Sequence, residues 1–258
     1  MSLQNRETLK SFFRKGQMPT EGNFNDLIDS MINKVDDGMS KTIDEGLQLK
    51  PIGTTQKLIS FFKSIEEKNP AWSIQVNSGD ATLSFNNQMG DKVLSLFTKG
   101  NKSYVGIRNE KPEYELDVRG VTGMHGRIGT LYQGSVPADG NWHPIVQKLD
   151  GCHAFEIVAG VGKQKTGKYA LIHAFALSTY GKSRNTIRIN QAYYGARYNK
   201  IELRWTGDTY SYNLEMRCRR SYGGEFNIQY FISSLWFDTL MNDSIKRDTA
   251  KENGSKEE

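Results

Sequence analysis

Only two cysteines, Cys152 and Cys218, occur in 258 residues. Two thiols cannot build the disulfide framework of a small secreted domain, and they suit a chain made and folded in the cytoplasm. Long apolar runs are missing as well. The longest, Tyr169 to Leu177, contains His173 and falls far short of the roughly 20 residues that cross a bilayer. The N-terminal MSLQNRETLKSFFRKG has no apolar centre of signal-peptide length. These absences predict no membrane insertion and no signal peptide. Apolar content, 37%, is low for one large globular core, whereas 25 glycines and 12 tyrosines point to β structure rich in turns. A net charge of +5 is a mild basic bias that by itself selects no partner.

Catalytic patterns are equally scarce. The four histidines, His125, His143, His153 and His173, form no HxH or HExxH pattern, and no CxxC exists. There is no G-x-S-x-G nucleophile elbow. The run Gly162-Lys163-Gln164-Lys165-Thr166-Gly167-Lys168 fits the first part of a phosphate-binding loop, but Tyr169 stands where a Ser or Thr should hold magnesium. The next residues, YALIHAFALS, read as a buried strand instead of the helix whose N-terminus would face a phosphate. A basic hairpin tip is the expectation here. Two of the acids past residue 121 could flank a glycosidic bond, which spacing in sequence does not test. The chain reads as a non-enzyme with no catalytic residue, no metal ligand and no cofactor.

What is present begins with two short amphipathic helices. Leu9, Phe12 and Phe13 share one face of a first helix that Gly16 ends. Pro19 and Thr20 open a second, on which Phe24, Leu27, Ile28, Met31 and Ile32 make an apolar stripe. Too small for a core of their own, these helices either cap the rest of the chain or attach it to a larger assembly. Asp36 to Gly46 is polar and reads as a linker. From residue 71 to 118, alternating runs such as Trp72, Ile74, Val76 and Leu83, Phe85 predict a meander of four or five strands. Within it, Tyr104 to Gly120 reads as a hairpin-like pair of short strands around a turn closed by Pro112.

Beyond Val121 lie ten of the twelve tyrosines and three of the four tryptophans. Strands are expected over Arg127–Tyr132, His153–Ala159, Tyr169–Ser178, Thr186–Tyr193, Lys200–Thr206, Tyr210–Arg217 and Phe226–Phe237, with a hairpin turn at Thr206-Gly207-Asp208-Thr209. Their spacing predicts an all-β sandwich or barrel. Residues 121–237 carry fourteen Lys and Arg against seven acids, interleaved with rings. The candidate ligand residues are Arg197, Tyr198, Lys200, Arg204, Trp205, Tyr210, Tyr212, Arg217, Arg219 and Arg220. Flat rings suit sugar faces and guanidinium forks suit carboxylate or phosphate, so an anionic surface glycan is the expected ligand. Nucleic acid uses the same ingredients, but no nucleic-acid motif accompanies them. The same rings and arginines also suit a core, a subunit interface or a solvated surface.

Three stretches resemble a known family. YVGIRNEKPEYELDVRG is similar to the VGIGTxxPxYKLDVxG element of phage tail fibres and related injection-system fibres. LKSFFRKGQMPTEGNFNDLIDSMINKVDDG resembles the N-terminal segment of such proteins. The block from GRIGTLYQG through YYGARYNKIELRW and RCRRSYGG to LWFD resembles a C-terminal domain of tail-fibre or adhesin-like proteins of contractile injection systems. Residues 238–258 are polar and mixed in charge, which predicts a mobile tail. The resemblance implies a mainly β fold with a helical attachment segment (1–46), a β-rich trimeric collar or shaft (47–120) and a sandwich-like receptor-binding knob (121–237). It also implies a homotrimer, held at a baseplate by other tail proteins and touching a target-cell glycan or receptor. Such a particle component is assembled on a phage-tail-like particle and released with it. A purely structural baseplate protein and a glycan depolymerase are the alternatives.

Overall fold

The computed structural model describes residues 4–31, 36–64 and 66–244. The chain is mainly β and divides into two compact units, Met1–Gly123 and Met124–Glu258.

The first unit opens with α1 (Arg6–Phe12) and α2 (Glu21–Asp29). Asn5 caps α1, its side-chain oxygen accepting from the amides of Glu7 and Thr8. Thr20 and Asn23 form a reciprocal capping box on α2, satisfying donors that a helix start leaves open. The rings of Phe13 and Phe24 meet edge to face at 5.5 Å, and the Ser30 hydroxyl accepts from the Gln4 amide. Helix α2 stops at Asp29, so Met31 lies past its end, and Ile32 is outside the described residues. Where a linker was expected, β1 (Met39–Thr42) and β2 (Gly46–Leu49) pair antiparallel. Their polarity hid them: Ser40 donates to Gln48 across the pair, and the Glu45 amide donates to Thr42 within the turn.

Six further strands form one sheet in chain order: β3 (Lys57–Phe61), β4 (Trp72–Val76), β5 (Leu83–Asn87), β6 (Lys92–Lys99), β7 (Lys102–Ile107) and β8 (Leu116–Val118). Its register sorts the side chains sharply. One face carries a row running Ile59, Ile74, Phe85, Leu94, Ile107 and Val118 across all six strands. A second row, Val76, Leu83, Leu96, Val105 and Leu116, lies beside it. The other face carries Gln75, Ser84, Ser95, Gly106 and Asp117. The polar face is the covered one: Ser84 and Ser95 are buried, while Leu96 and Leu116 remain exposed. Pro112 apart, no apolar side chain of this unit is buried, and the hydrophobic core begins at Val136 among the described residues.

The hairpin expected over Tyr104 to Gly120 is corrected: β7 and β8 run parallel. The chain turns back at Arg108, in a left-handed conformation with φ 54°, and the loop after it crosses the polar face. A Cβ on Gly106 would collide with the Asn109 carbonyl oxygen, so glycine is what lets the loop lie there.

The second unit has two antiparallel sheets. Its strands are β9 (Tyr132–Pro137), β10 (His143–Leu149), β11 (Cys152–Gly162), β12 (Tyr169–Thr179), β13 (Thr186–Tyr193), β14 (Ile201–Asp208), β15 (Ser211–Cys218) and β16 (Asn227–Ser234). One sheet has the order β13-β12-β11-β16-β9 and the other β10-β15-β14. Phe155, Ile157, Ile172 and Ile232 from the first pack with Ile201, Leu214 and Met216 from the second in one buried core. The Tyr212 hydroxyl enters that core satisfied, donating to the Gly151 carbonyl at 2.8 Å with Ser178 Oγ at 2.7 Å.

Strands β9 and β10 were not expected from sequence. The strand expected over Arg127–Tyr132 is not formed: only Thr130 bridges to Ile232, and Gly129 lies so close to β16 that a Cβ would strike Ser233. The β14–β15 turn is Thr209-Tyr210, further on than expected, because Asp208 and Ser211 still pair. The loop from Gly162 to Lys168 is a hairpin connection into β12. Past β16, the Asp238 carboxylate accepts from the amides of Asn242 and Asp243, and the Thr239 carbonyl accepts from Cys152. This ties down the beginning of the stretch expected to be a mobile tail, and 245–258 lie outside the described residues.

Candidate functional site

Strand β15 turns Tyr212, Leu214, Met216 and Cys218 into the core, so its alternate residues Glu215 and Arg217 face outward. Register sets Glu202 opposite Arg217 and Arg204 opposite Glu215. The resulting ion pairs are short: Arg204 Nε to Glu215 Oε2 at 2.7 Å and Arg217 Nη2 to Glu202 Oε2 at 2.9 Å. Arg219 adds a third cation, its Nε 3.2 Å from Glu202 Oε1. Directly opposed charges of unlike sign support the sheet, each pair by roughly 0.2–1 kcal/mol.

The loop just before β10 brings the indole of Trp142 to this ladder. The guanidinium carbons of Arg204 and Arg217 lie over its ring, 4.2 and 4.3 Å from the centroid. The loop presenting Trp142 is built on Asp139. Its carboxylate accepts from the Asn141 amide at 2.8 Å and from Asn141 Nδ2 at 3.0 Å, with His143 Nε2 2.8 Å from Oδ1. The His143 contact and then the Asn141 amide hold the Asp139 carboxyl down at about 2. The face thus combines a flat ring, three guanidiniums and two carboxylates. Arg204 and Arg219 bond through Nε, and their terminal amino groups make no hydrogen bond among the described residues. Half-exposed forks beside a ring are chemically suited to a planar anion such as the carboxylate of an acidic sugar.

The structure divides the candidate ligand residues. Arg204, Arg217 and Arg219 share the outward ladder. At the Ile201 end of β14, Arg197 and Tyr198 lie in a 3-10 turn, Lys200 holds its ammonium 5.1 Å over the Tyr193 ring, and Arg220 is exposed just past β15. Tyr210 sits at the opposite end, in the hairpin turn, edge to face with Tyr180. Two residues are corrected outright. Tyr212 is 1% exposed, and Trp205 packs against the core edge to face with Tyr212. The reason is the period of a strand: neighbours point to opposite faces, so interleaved cations and rings cannot all face one ligand. Trp142, which sequence reasoning missed, comes from a distant loop. Its local signal was the Asp-Gly-Asn turn just before it.

A cleft of about 420 Å³ opens beside Trp205 and Tyr212 at the edge between the sheets. Its polar lining is engaged only in part: Trp205 Nε1 and Thr206 Oγ1 are buried with no hydrogen-bond partner among the described residues. Lys182 pairs with Asp208 at 2.6 Å, and Ser183 donates to Asn185, which also accepts from the Thr179 amide. Among the described residues no group of three or more His, Cys, Asp or Glu is placed to hold a metal ion. No described helix is long and apolar enough to cross a membrane. In the first unit, Leu9, Phe12 and Leu27 are half-buried and Phe13, Phe24, Ile28 and Met31 exposed, and neither helix buries a side chain. No protein-family model matches the chain, and no curated protein matches it.

Proposed function

We propose that this chain is the subunit of a short homotrimeric fibre on a phage tail or contractile injection particle. The helices at 5–31 attach it to baseplate or other tail proteins, the first unit's sheet builds a shaft, and the second unit is a knob that contacts an acidic glycan or receptor on a target cell. In this reading the protein is made in the cytoplasm and leaves with its particle.

One observation carries the proposal. Two apolar rows cross the sheet, one through all six strands and one through β4 to β8, and their own chain leaves these side chains half-buried or exposed. Burying apolar area contributes about 25 cal/mol per Å², so a face of this extent gains its stability when other copies cover it. The resemblance to fibre proteins supplies the particle, and the Arg204–Trp142–Arg217 stack supplies the anionic ligand class.

Light scattering of the full chain tests the reading. A trimer is expected at micromolar concentration, and Phe85→Lys, in the middle of an apolar row, is expected to convert it to monomer. A wild type that is a stable monomer at that concentration overturns the proposal. Glycan-array binding by the trimer separates a receptor-binding fibre from a structural baseplate part.

A further inference from the structure

Strand β11 holds an interior glycine that the chain itself does not require. Gly160 faces out of the five-stranded sheet, since its neighbours Ala159 and Val161 are buried. A glycine inside a strand loses more conformational freedom on folding than any other residue, and it marks a bulge or bend, or a close approach from outside. Neither irregularity is present: the register with β12 runs unbroken past Gly160, and the pairing with β16 reaches it. Crowding does not demand it either. A Cβ there would stand 3.4 Å from Leu171 Cδ1 and 3.6 Å from the Ala170 carbonyl oxygen, ordinary contact distances. Close approach from outside remains.

The surface around Gly160 is shaped for such an approach. A depression of about 560 Å³ lies over it, within the roughly 300–1,000 Å³ of small-ligand sites. Val158, Leu171 and the half-buried Phe231 ring give it apolar walls. Asn227 and Gln229 supply the polar edge, and register sets Gln229 directly opposite Gly160. Both amide side chains are exposed and make no hydrogen bond among the described residues. No lysine, arginine or histidine lines the depression, and its one acid, Glu225, is paired with Lys163 at 3.0 Å. The cations of this face lie elsewhere: Arg127 is held by Glu156, and Arg188 stands opposite Phe175 on β13.

We propose, resting on the reading of the second unit as a glycan-contacting knob, that this depression binds one neutral pyranose unit of a glycan. The C–H face of the sugar lies over Gly160 against Phe231 and Val158, and its hydroxyls meet Asn227 and Gln229. Amide side chains both donate and accept, as neighbouring sugar hydroxyls do. An acidic sugar is disfavoured here, because its carboxylate would find no cation among the lining residues and would face Glu225. A peptide strand is disfavoured as well: β11 is paired on both sides, so it offers no free edge to extend. The arginine ladder, on the other sheet, and this depression therefore take different units of a glycan.

Saturation-transfer NMR on the full chain tests the site. The probes are the methyl glycosides of glucose, galactose, mannose and N-acetylglucosamine, with a blocked leucine–phenylalanine dipeptide for comparison. At least one glycoside is expected to receive saturation at millimolar concentration. Gly160→Val, which fills the depression, is expected to cut that signal at least tenfold. Gln229→Ala, which removes an uncommitted amide, is expected to cut it at least threefold and decides the matter where Gly160→Val fails to fold. Transfer to the dipeptide and to no glycoside overturns the proposal, as does a glycoside signal that the folded variants leave intact. Silence from all four glycosides while an acidic polysaccharide still binds overturns this site and leaves the glycan-contacting knob standing. Silence from the glycosides and the polysaccharide together overturns both.

Discussion

The Arg204 guanidinium, on β14, lies 4.2 Å from the centroid of the Trp142 indole, which precedes β10, the far strand of the same sheet. β15 lies between them and contributes Arg217 to the same ring. The stack exists only when all three strands are in register, so it reports on both the fold and the proposed ligand face.

Replacing Trp142 with alanine is expected to weaken binding of an acidic polysaccharide at least tenfold, measured by calorimetry on the intact protein. Folding should lose only about 1–2 kcal/mol, because Arg204 and Arg217 keep their Glu215 and Glu202 partners. Tyr210→Ala, at the far hairpin turn, should leave binding unchanged. Equal losses from both variants would move the ligand off this face. Wild-type binding should also weaken as salt rises, since exposed charges are screened beyond about 10 Å at 0.1 M.

Acid should loosen the loop that presents Trp142. Contact with His143, and then the Asn141 amide, lower the folded-state carboxyl of Asp139 from 3.8 to about 2. A depressed carboxyl adds stability above its unfolded value, and this is lost as pH falls through the folded one, here between about 4 and about 2. Urea midpoints for wild type and Asp139→Asn are therefore expected to differ at pH 5 and to converge toward pH 2. A constant gap over that range would show that the carboxylate's charge plays no part.

In the six-stranded sheet, Gly106→Ala is expected to destabilise the first unit by about 2 kcal/mol or more. Its Cβ would meet the Asn109 carbonyl oxygen, part of a backbone segment that cannot swing aside as a side chain can. Gly120→Ala, with open space around the same position, is the matched control. Hydrogen exchange along β7 and β8 reads the effect. Unchanged protection would mean that the loop does not lie across Gly106 in solution.

Sequence legibility followed the physics of each element. Pro19 and Thr20 announced the start of the second helix, and alternation in Trp72–Val76 and Leu83–Phe85 announced strands, because both signals are local. Thr186–Tyr193 appears in the structure with the bounds expected of it. The hairpin at 39–49 escaped because polar side chains hold it, and β9 and β10 escaped because their apolar residues do not alternate cleanly. The candidate site was legible only as composition. Charge marked the arginines of β14 and β15 that the structure sets on one outward ladder, while Trp205 and Tyr212 take the core side because composition does not state which face a ring takes.

The order of residues by itself determined the mainly β character, the two capped helices, the strand periods and the glycine at 106, since each depends on neighbours within a few positions. Only the tertiary structure decided which side of each strand is covered. Stacking β10-β15-β14 on one side of the five-stranded sheet sends Ala174 inward and Phe175 outward, and pairing β7 with β8 in parallel places the serines of the first sheet under a loop. The physical reason is that alternation fixes two faces per strand but carries no label for the buried one. That label comes from distant segments meeting across the sheet.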